Sequence, residues 1–268
     1  LGGELTFANN SSYDWQGKLE LTNTLLKLNG FAEGTLDAVN VIAHAGTKIT
    51  VDSQDKLGSL TLNGSELEFG GIVLGGSGST ILDIANGLGG SGSASFSGGL
   101  TVSDSLNLLD ADDGDLSQIV ISAGQILEGT KIDSEIQGLS GVSVQSGAAS
   151  TEWTLSNLVQ DGNNFVIKYQ LTKIDLQPDR TLNLAQSEQG DGVLSAWVTG
   201  DGAISFDGGN ITISNAKNDY TGATLVTSGS LTLGADGALG GTSELNLATG
   251  TSFNLNGFDQ TVHALTGV

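Results

Sequence analysis

Residues 218 to 267, NDYTGATLVTSGSLTLGADGALGGTSELNLATGTSFNLNGFDQTVHALTG, constrain the fold more than any other stretch. Apolar pairs such as Leu231 with Leu233 and Leu245 with Leu247 alternate with polar residues, and glycine or asparagine cuts the run every few positions. This is the two-residue period of half-buried strands. No helical period competes with it.

The stretch has a counterpart near the start of the chain. Trp15, Gly17 and Leu19 answer to Tyr220, Gly222 and Thr224. Gly46, Thr47, Ile49 and Val51 answer to Gly250, Thr251, Phe253 and Leu255, and Leu60 answers to Leu265. Trp15 to Leu60 and Tyr220 to Leu265 span the same 45 positions, with one residue of slack inside each, as expected of one stacking unit used twice. Among 268 residues there are 41 glycines, a single proline (Pro178) and only 5% aromatics. Many tight turns and a thin core of Leu, Ile and Val follow. A solenoid has such a core, because each coil buries its inward residues against the coils above and below. Three short legs per coil, at roughly 20 residues a turn and ~4.8 Å between strands, would give about 13 coils and a rod about 60 Å long. An all-β parallel β-helix is therefore the expected fold class. A β-sandwich stays open as the alternative, although its strands are usually longer.

Thirty Asp and Glu oppose nine Lys and Arg, a formal net charge of −21. Phosphate neutralisation needs clustered cations, so nucleic acid and anionic membranes are poor partners. The acidity favours solubility and attraction to cations or basic surfaces. No cysteine is present, which removes disulfides, thiolate metal sites and Cys nucleophiles. No run of 18 apolar residues exists, and LGGELTF does not read as a signal peptide. The chain starts and stops inside repeat-like sequence, and is expected to be a piece of something longer.

In chain order, residues 1–109 read as β-helix coils. Leu60, Leu62, Leu67 and Phe69, then Val73 with flanking Ile72 and Leu74, then Ile81 and Ile84, fall in successive short runs. Residues 110–172 break the rhythm with an acidic loop, DADDGD, and an insertion. Within it Trp153 and Leu155, then Phe165, Ile167 and Tyr169, alternate around Asp161-Gly162-Asn163-Asn164, predicting a β-hairpin near 153–169 that packs on or caps an exposed coil. Residues 173–268 resume the coils.

The run WVTGDGAISFDGGNITISNAKNDYTGATLVTSGSLTLGADGALG, followed by LNLATGTSFNLNGFDQTVHAL, carries a family resemblance. It resembles the passenger-associated repeat of AIDA-type and self-associating bacterial autotransporter adhesins. The shared features are the turn Asn218-Asp219-Tyr220-Thr221-Gly222, the Gly-Ser-Leu-Thr-Leu leg, Leu255-Asn256-Gly257 and Gln260-Thr261-Val262. The match is dense over 190–267, looser over 1–64, and general in character over 104–170. The resemblance implies a right-handed β-helical passenger, exported through the periplasm and outer membrane and displayed on the cell surface by a C-terminal barrel that this sequence lacks. It implies partners that are identical passengers on neighbouring cells, as in biofilm formation, or host glycans and matrix proteins. It also implies an autochaperone role for residues 173–268, and freedom from cysteine fits such secretion.

Catalytic chemistry finds little footing. The only histidines, His44 and His263, lie in repeat legs and read as surface or turn residues rather than bases of a triad. GGSGS at 75–79 lacks the Asp and Pro of a serine-protease signature. Gly87, Gly89 and Gly92 satisfy G-x-G-x-x-G without a βαβ context. Asp110, Asp112, Asp113 and Asp115 are the candidate binding residues. They could serve as paired carboxylates of a β-helix carbohydrate-active enzyme or as calcium ligands. Crowded into one loop, without a second wall or a calcium-repeat pattern, they read first as a solvated turn, and neither a metal nor a cofactor is expected. Trp15, Trp153, Trp197 and Tyr220 read as structural aromatics beside glycine-rich turns. An aromatic patch for sugar or protein contact is the functional alternative. Outward Thr212, Ser214, Thr227, Thr232 and Asn246 would form polar ladders along the side of the stack. Sequence alone thus points to an adhesin acting through a polar face, with a carbohydrate-active enzyme as the rival and a purely intramolecular folding role for residues 173–268 as the third reading.

Overall fold

A computed structural model describes residues 2–6, 15–28, 36–75, 81–104, 106–109, 116–186 and 190–267. The protein is all-β, and among the described residues the only helical element is a 3-10 turn at Gln145–Gly147. Asp110, Asp112, Asp113 and Asp115 lie outside the described residues, as do positions 76–79 of the GGSGS motif. Contacts divide the chain into two compact units. Residues 1–103, 117–137 and 155–168 form the first, and residues 104–116, 138–154 and 169–268 the second.

The chain opens with β1 (Gly3–Thr6), β2 (Gln16–Leu21), β3 (Thr24–Leu28), β4 (Ala38–His44), β5 (Lys48–Val51) and β6 (Asp55–Leu57). There follow β7 (Ser59–Phe69), β8 (Ile72–Leu74), β9 (Leu82–Phe96), β10 (Leu100–Val102), β11 (Ser117–Ile126) and β12 (Lys131–Ser134). In the first unit these strands pair in parallel, and the register stacks like on like. Val41, Leu60 and Leu88 form one inward column, Ile49, Leu67 and Ala94 a second, and Val51, Phe69 and Phe96 a third. The alternation of the sequence causes this. In β8, Ile72 and Leu74 are buried while Val73 between them is 49% exposed. Ile81 is half-buried, and the inward residues of that run are Leu82 and Ile84. Each fully buried aliphatic side chain contributes roughly 1.5–3 kcal/mol of transfer free energy.

The expected hairpin is present. It involves β13 (Leu139–Val144), β14 (Ala149–Leu155), β15 (Val159–Asp161) and β16 (Asn164–Leu176). β15 pairs antiparallel with the start of β16, Asp161 opposite Asn164, across Gly162-Asn163. Gly162 has φ 57, the positive value that a tight two-residue turn requires at its first central position. Further along, β14 is hydrogen-bonded between β16 and β13. Trp153 there is buried, donates from Nε1 to Thr151 Oγ1 at 2.8 Å and lies 6.2 Å from the Tyr169 ring. Residues 164–168 of β16 also run antiparallel along β11, so the hairpin closes the edge that β11 turns away from β9.

The second unit continues with β17 (Thr181–Ala185), β18 (Asp191–Leu194), β19 (Trp197–Gly200), β20 (Ala203–Asp207) and β21 (Asn210–Ile213). It ends with β22 (Thr224–Val226), β23 (Ser230–Leu233), β24 (Leu245–Leu247), β25 (Ser252–Asn254) and β26 (Leu265–Gly267). The chain passes back and forth between two parallel ladders, β17-β20-β22-β24-β26 and β18-β21-β23-β25. Leu182, Ile204, Thr224, Leu245 and Leu265 are in register, steps of 22, 20, 21 and 20 residues. Ile211, Leu231 and Phe253 form the facing column.

Thr224 is a polar member of an otherwise apolar column. Its Oγ1 lies 2.7 Å from the Tyr220 hydroxyl and 3.0 Å from Thr242 Oγ1, and Thr242 in turn donates to the Gly222 carbonyl at 2.9 Å. All three side chains are buried without exposure, so the hydroxyls satisfy one another where water cannot. Burial pushes the Tyr220 phenol well above its ordinary range. The sign of the resulting pH dependence follows. The folded state holds this proton more tightly than the unfolded chain, so the contribution is whole below about pH 10, the unfolded value, and is lost as pH climbs toward the folded one. The urea midpoint of the native protein should therefore fall more steeply between about pH 9 and about pH 11 than that of Tyr220→Phe. Equal slopes would contradict it.

Candidate interaction surface

Outward residues of the same strands make the candidate surface, because successive side chains of a strand point to opposite faces. In the second unit Asp191, Asn210, Ser230 and Ser252 share one register, and Val193, Thr212, Thr232 and Asn254 the next. The first three members of the first column form a bonded ladder. Asn210 donates to Asp191 Oδ1 at 2.9 Å, and Ser230 donates to Asn210 Oδ1 at 2.8 Å. On the other ladder Asn246 donates to Thr266 Oγ1 at 2.9 Å and Thr266 donates to Glu244. The Thr266 bond, joined by one from Asn246 at 3.3 Å, holds the Glu244 carboxyl below the usual carboxylate range. Ser214 and Thr227 point their hydroxyls at the carbonyls of Leu194 and Phe206. Thus the ladders cross-link neighbouring strands.

Corner residues tie the turns together. The buried Asn218 accepts the Val198 N–H at 2.7 Å and donates to the Ala238 carbonyl at 2.7 Å, clamping three successive turns with one amide. Gln260 takes the Leu239 N–H at 2.8 Å in the same manner. Half-buried Trp197 carries Lys173 Nζ 5.0 Å above its ring and donates to Asp219 at 3.2 Å, while the same ammonium reaches Glu152 at 3.2 Å. Trp15 stands 47% exposed just before β2. On the first unit, Lys48 sits between Glu68 at 2.5 Å and Glu66 at 3.3 Å, which lowers the Glu68 carboxyl and raises the ammonium.

His44 Nε2 meets the exposed Glu20 carboxylate at 2.9 Å, and His263 Nδ1 faces the Thr242 carbonyl at 3.1 Å. Gly87, Gly89 and Gly92 lie in the middle of β9 rather than at a helix start. A Cβ on Gly89 would come within 2.8 Å of Leu127, and one on Gly92 within 2.6 Å of the Ser65 carbonyl. Close stacking, not phosphate cradling, requires glycine there. Among the described residues no three His, Cys, Asp or Glu converge as metal ligands. Asp236 and Asp259 sit on successive turns beside one shallow depression, but Asp236 Oδ1 is engaged by the Asp259 N–H at 2.8 Å.

The chain is 27% identical over 304 aligned residues, 99% of its length, to the uncharacterized protein YuaQ of Escherichia coli (strain K12), covering 22% of that protein. It is 30% identical over 177 residues, 60% of its length, to the uncharacterized lipoprotein YdeK of Escherichia coli (strain K12), covering 13% of it. The chain therefore spans less than a quarter of the length of these curated relatives. No family model matches the chain, and no solved structure matches it significantly.

Proposed function

We propose that the chain is part of the passenger of an autotransporter-type adhesin, built as a right-handed parallel β-helix and acting at the bacterial cell surface through its polar side face. The observation that carries the reading is the pair of parallel ladders advancing at steps of 19–22 residues with Asp, Asn, Ser and Thr columns on their outer sides. Parallel strands joined by crossovers in one sheet are right-handed in about 98% of cases. A relative described as a lipoprotein agrees with a place in the cell envelope.

The mechanism needs no pocket. Each outward hydroxyl or amide already bonded along its ladder keeps one more donor or acceptor for an identical face or a host glycan or matrix protein. Exchange with water makes each such bond worth little, about 1 kcal/mol. Repetition at every turn makes the sum effective through multivalency. A folding role for residues 173–268, as a seed on which other turns stack, accompanies this reading.

Beads coated with the chain are expected to clump, and soluble chain in excess to disperse them. Replacing the outward column with Asn210→Lys, Thr212→Lys and Thr232→Lys should abolish clumping by placing like charges on both faces. Absence of clumping and of any binding to host matrix would sink the adhesin reading.

A further inference from the structure

One edge of the first unit is interrupted in a way the adhesive ladders do not use. β9 pairs with β7 as far as Phe69 opposite Phe96, but on its other side β12 accompanies it only from Ser91 to Ala94. The chain then leaves the sheet at Glu135. Ser95 and Phe96 have no strand partner on that side among the described residues, and β10, beyond the next turn, pairs only with β8. The step is one strand wide, about 4.8 Å. It opens a groove of about 700 Å³. Phe96 stacks on Phe69 with centroids 5.6 Å apart and planes at 19°, so one ring face is covered, and the half-buried residue also lines the groove.

We infer that this groove binds a neutral saccharide ring seated on the open face of Phe96. The C–H face of a pyranose is apolar and flat, and it finds in an unpaired aromatic face the contact that the next turn would otherwise supply. Its hydroxyls need planar groups carrying two polar atoms each. Glu135 and Gln137, both exposed and without a side-chain partner among the described residues, stand at the rim, with the hydroxyl-bearing Ser93 on the strand itself. Asp133 also lines the groove, its charge already met by Lys131 at 2.8 Å. Carboxylates at the rim, in a chain of net charge −21, select against sialylated, sulfated or uronic sugars. An extended peptide is the weaker fit, because only two consecutive residues of β9 offer it a backbone edge. The choice of a glycan rests on the cell-surface reading above, but the groove stands or falls separately from the ladders.

The purified chain would be applied to an array of lactose, cellobiose, chitobiose, maltotriose, sialyllactose and extended peptides, and positives followed by calorimetric titration. At least one neutral sugar should bind, with sialyllactose bound more weakly than lactose. Phe96→Leu keeps apolar volume against Phe69 but removes the flat face, and should weaken that sugar by about tenfold. Glu135→Ala with Gln137→Ala, both on the surface, should weaken it comparably without altering the thermal midpoint, so a folding defect in Phe96→Leu would not shelter the proposal. Failure of every neutral sugar, equal binding of sialyllactose, preference for peptide, or undiminished affinity in the rim double variant would overturn it. Clumping that persists when no sugar binds removes the groove alone. Sugar binding without clumping or matrix binding removes the ladder mechanism alone.

Discussion

The Gly222→Ala protein is expected to lose about 3 kcal/mol of stability, at the upper end of what overpacking usually costs. A Cβ at position 222 would lie 2.0 Å from the Gly202 carbonyl oxygen, 2.4 Å from its carbon and 2.9 Å from the Ala203 nitrogen. All three are backbone atoms of the turn beneath, so no side chain can rotate away. Strain also spreads upward, since the Gly222 carbonyl accepts from the buried Thr242. In a stack whose stability is largely a sum over neighbouring interfaces, one pried-apart pair weakens both adjoining contacts. Gly237→Ala is the control. Gly237 has φ +66 and nothing within 4 Å of a built Cβ, so the change costs only the backbone preference, about 1 kcal/mol. Urea denaturation of the two variants would decide it. If Gly222→Ala proves no worse than Gly237→Ala, the close stacking of turns 202 and 222 is wrong.

Thr224→Val should cost about 2–3 kcal/mol although valine nearly matches threonine in shape. Loss of one hydrogen bond is the smaller part. The Tyr220 hydroxyl, fully buried and 2.7 Å from Thr224 Oγ1, would be stranded without water. Tyr220→Phe should be milder, about 1 kcal/mol, since Thr224 keeps Thr242 and Thr242 keeps the Gly222 and Glu244 carbonyls. The double variant should then be more stable than the sum of the single costs implies, because the phenol that valine strands is no longer there. Strict additivity in a double-mutant cycle would exclude the buried hydroxyl chain.

Alternation and glycine spacing made the inward columns legible. Leu60, Leu62, Leu67 and Phe69 are all buried, and the hairpin turn at Gly162 was visible in four residues. Register is not legible where three apolar residues crowd four positions. In Ile81-Leu82-Asp83-Ile84 the face is set by the pairing of Leu82 with Asp55 and Ile121, which no local pattern reveals. The step of roughly 20 residues a turn was legible, but the 45-residue likeness between the two halves, a little over two turns, did not give its phase. Only the register lines up Val198, Asn218 and Ala238 and makes Asn218 a clamp rather than an ordinary turn residue. Thr224 and Thr242 were hidden for the same reason. The groove at Phe96 depends on where β12 stops relative to β9, a fact of long-range pairing that composition and period do not carry.

The antiparallel run of β16 along β11 has a directional consequence. A parallel turn can dock only on an edge whose strand points its way, and on that side β11 now presents an oppositely directed neighbour followed by the three-residue β15, whose Gln160 and Asp161 are exposed. Such a short polar margin discourages further pairing. On that side the parallel ladder of the first unit ends at β11 as a polymer ends at a capping group, its next neighbour running the opposite way.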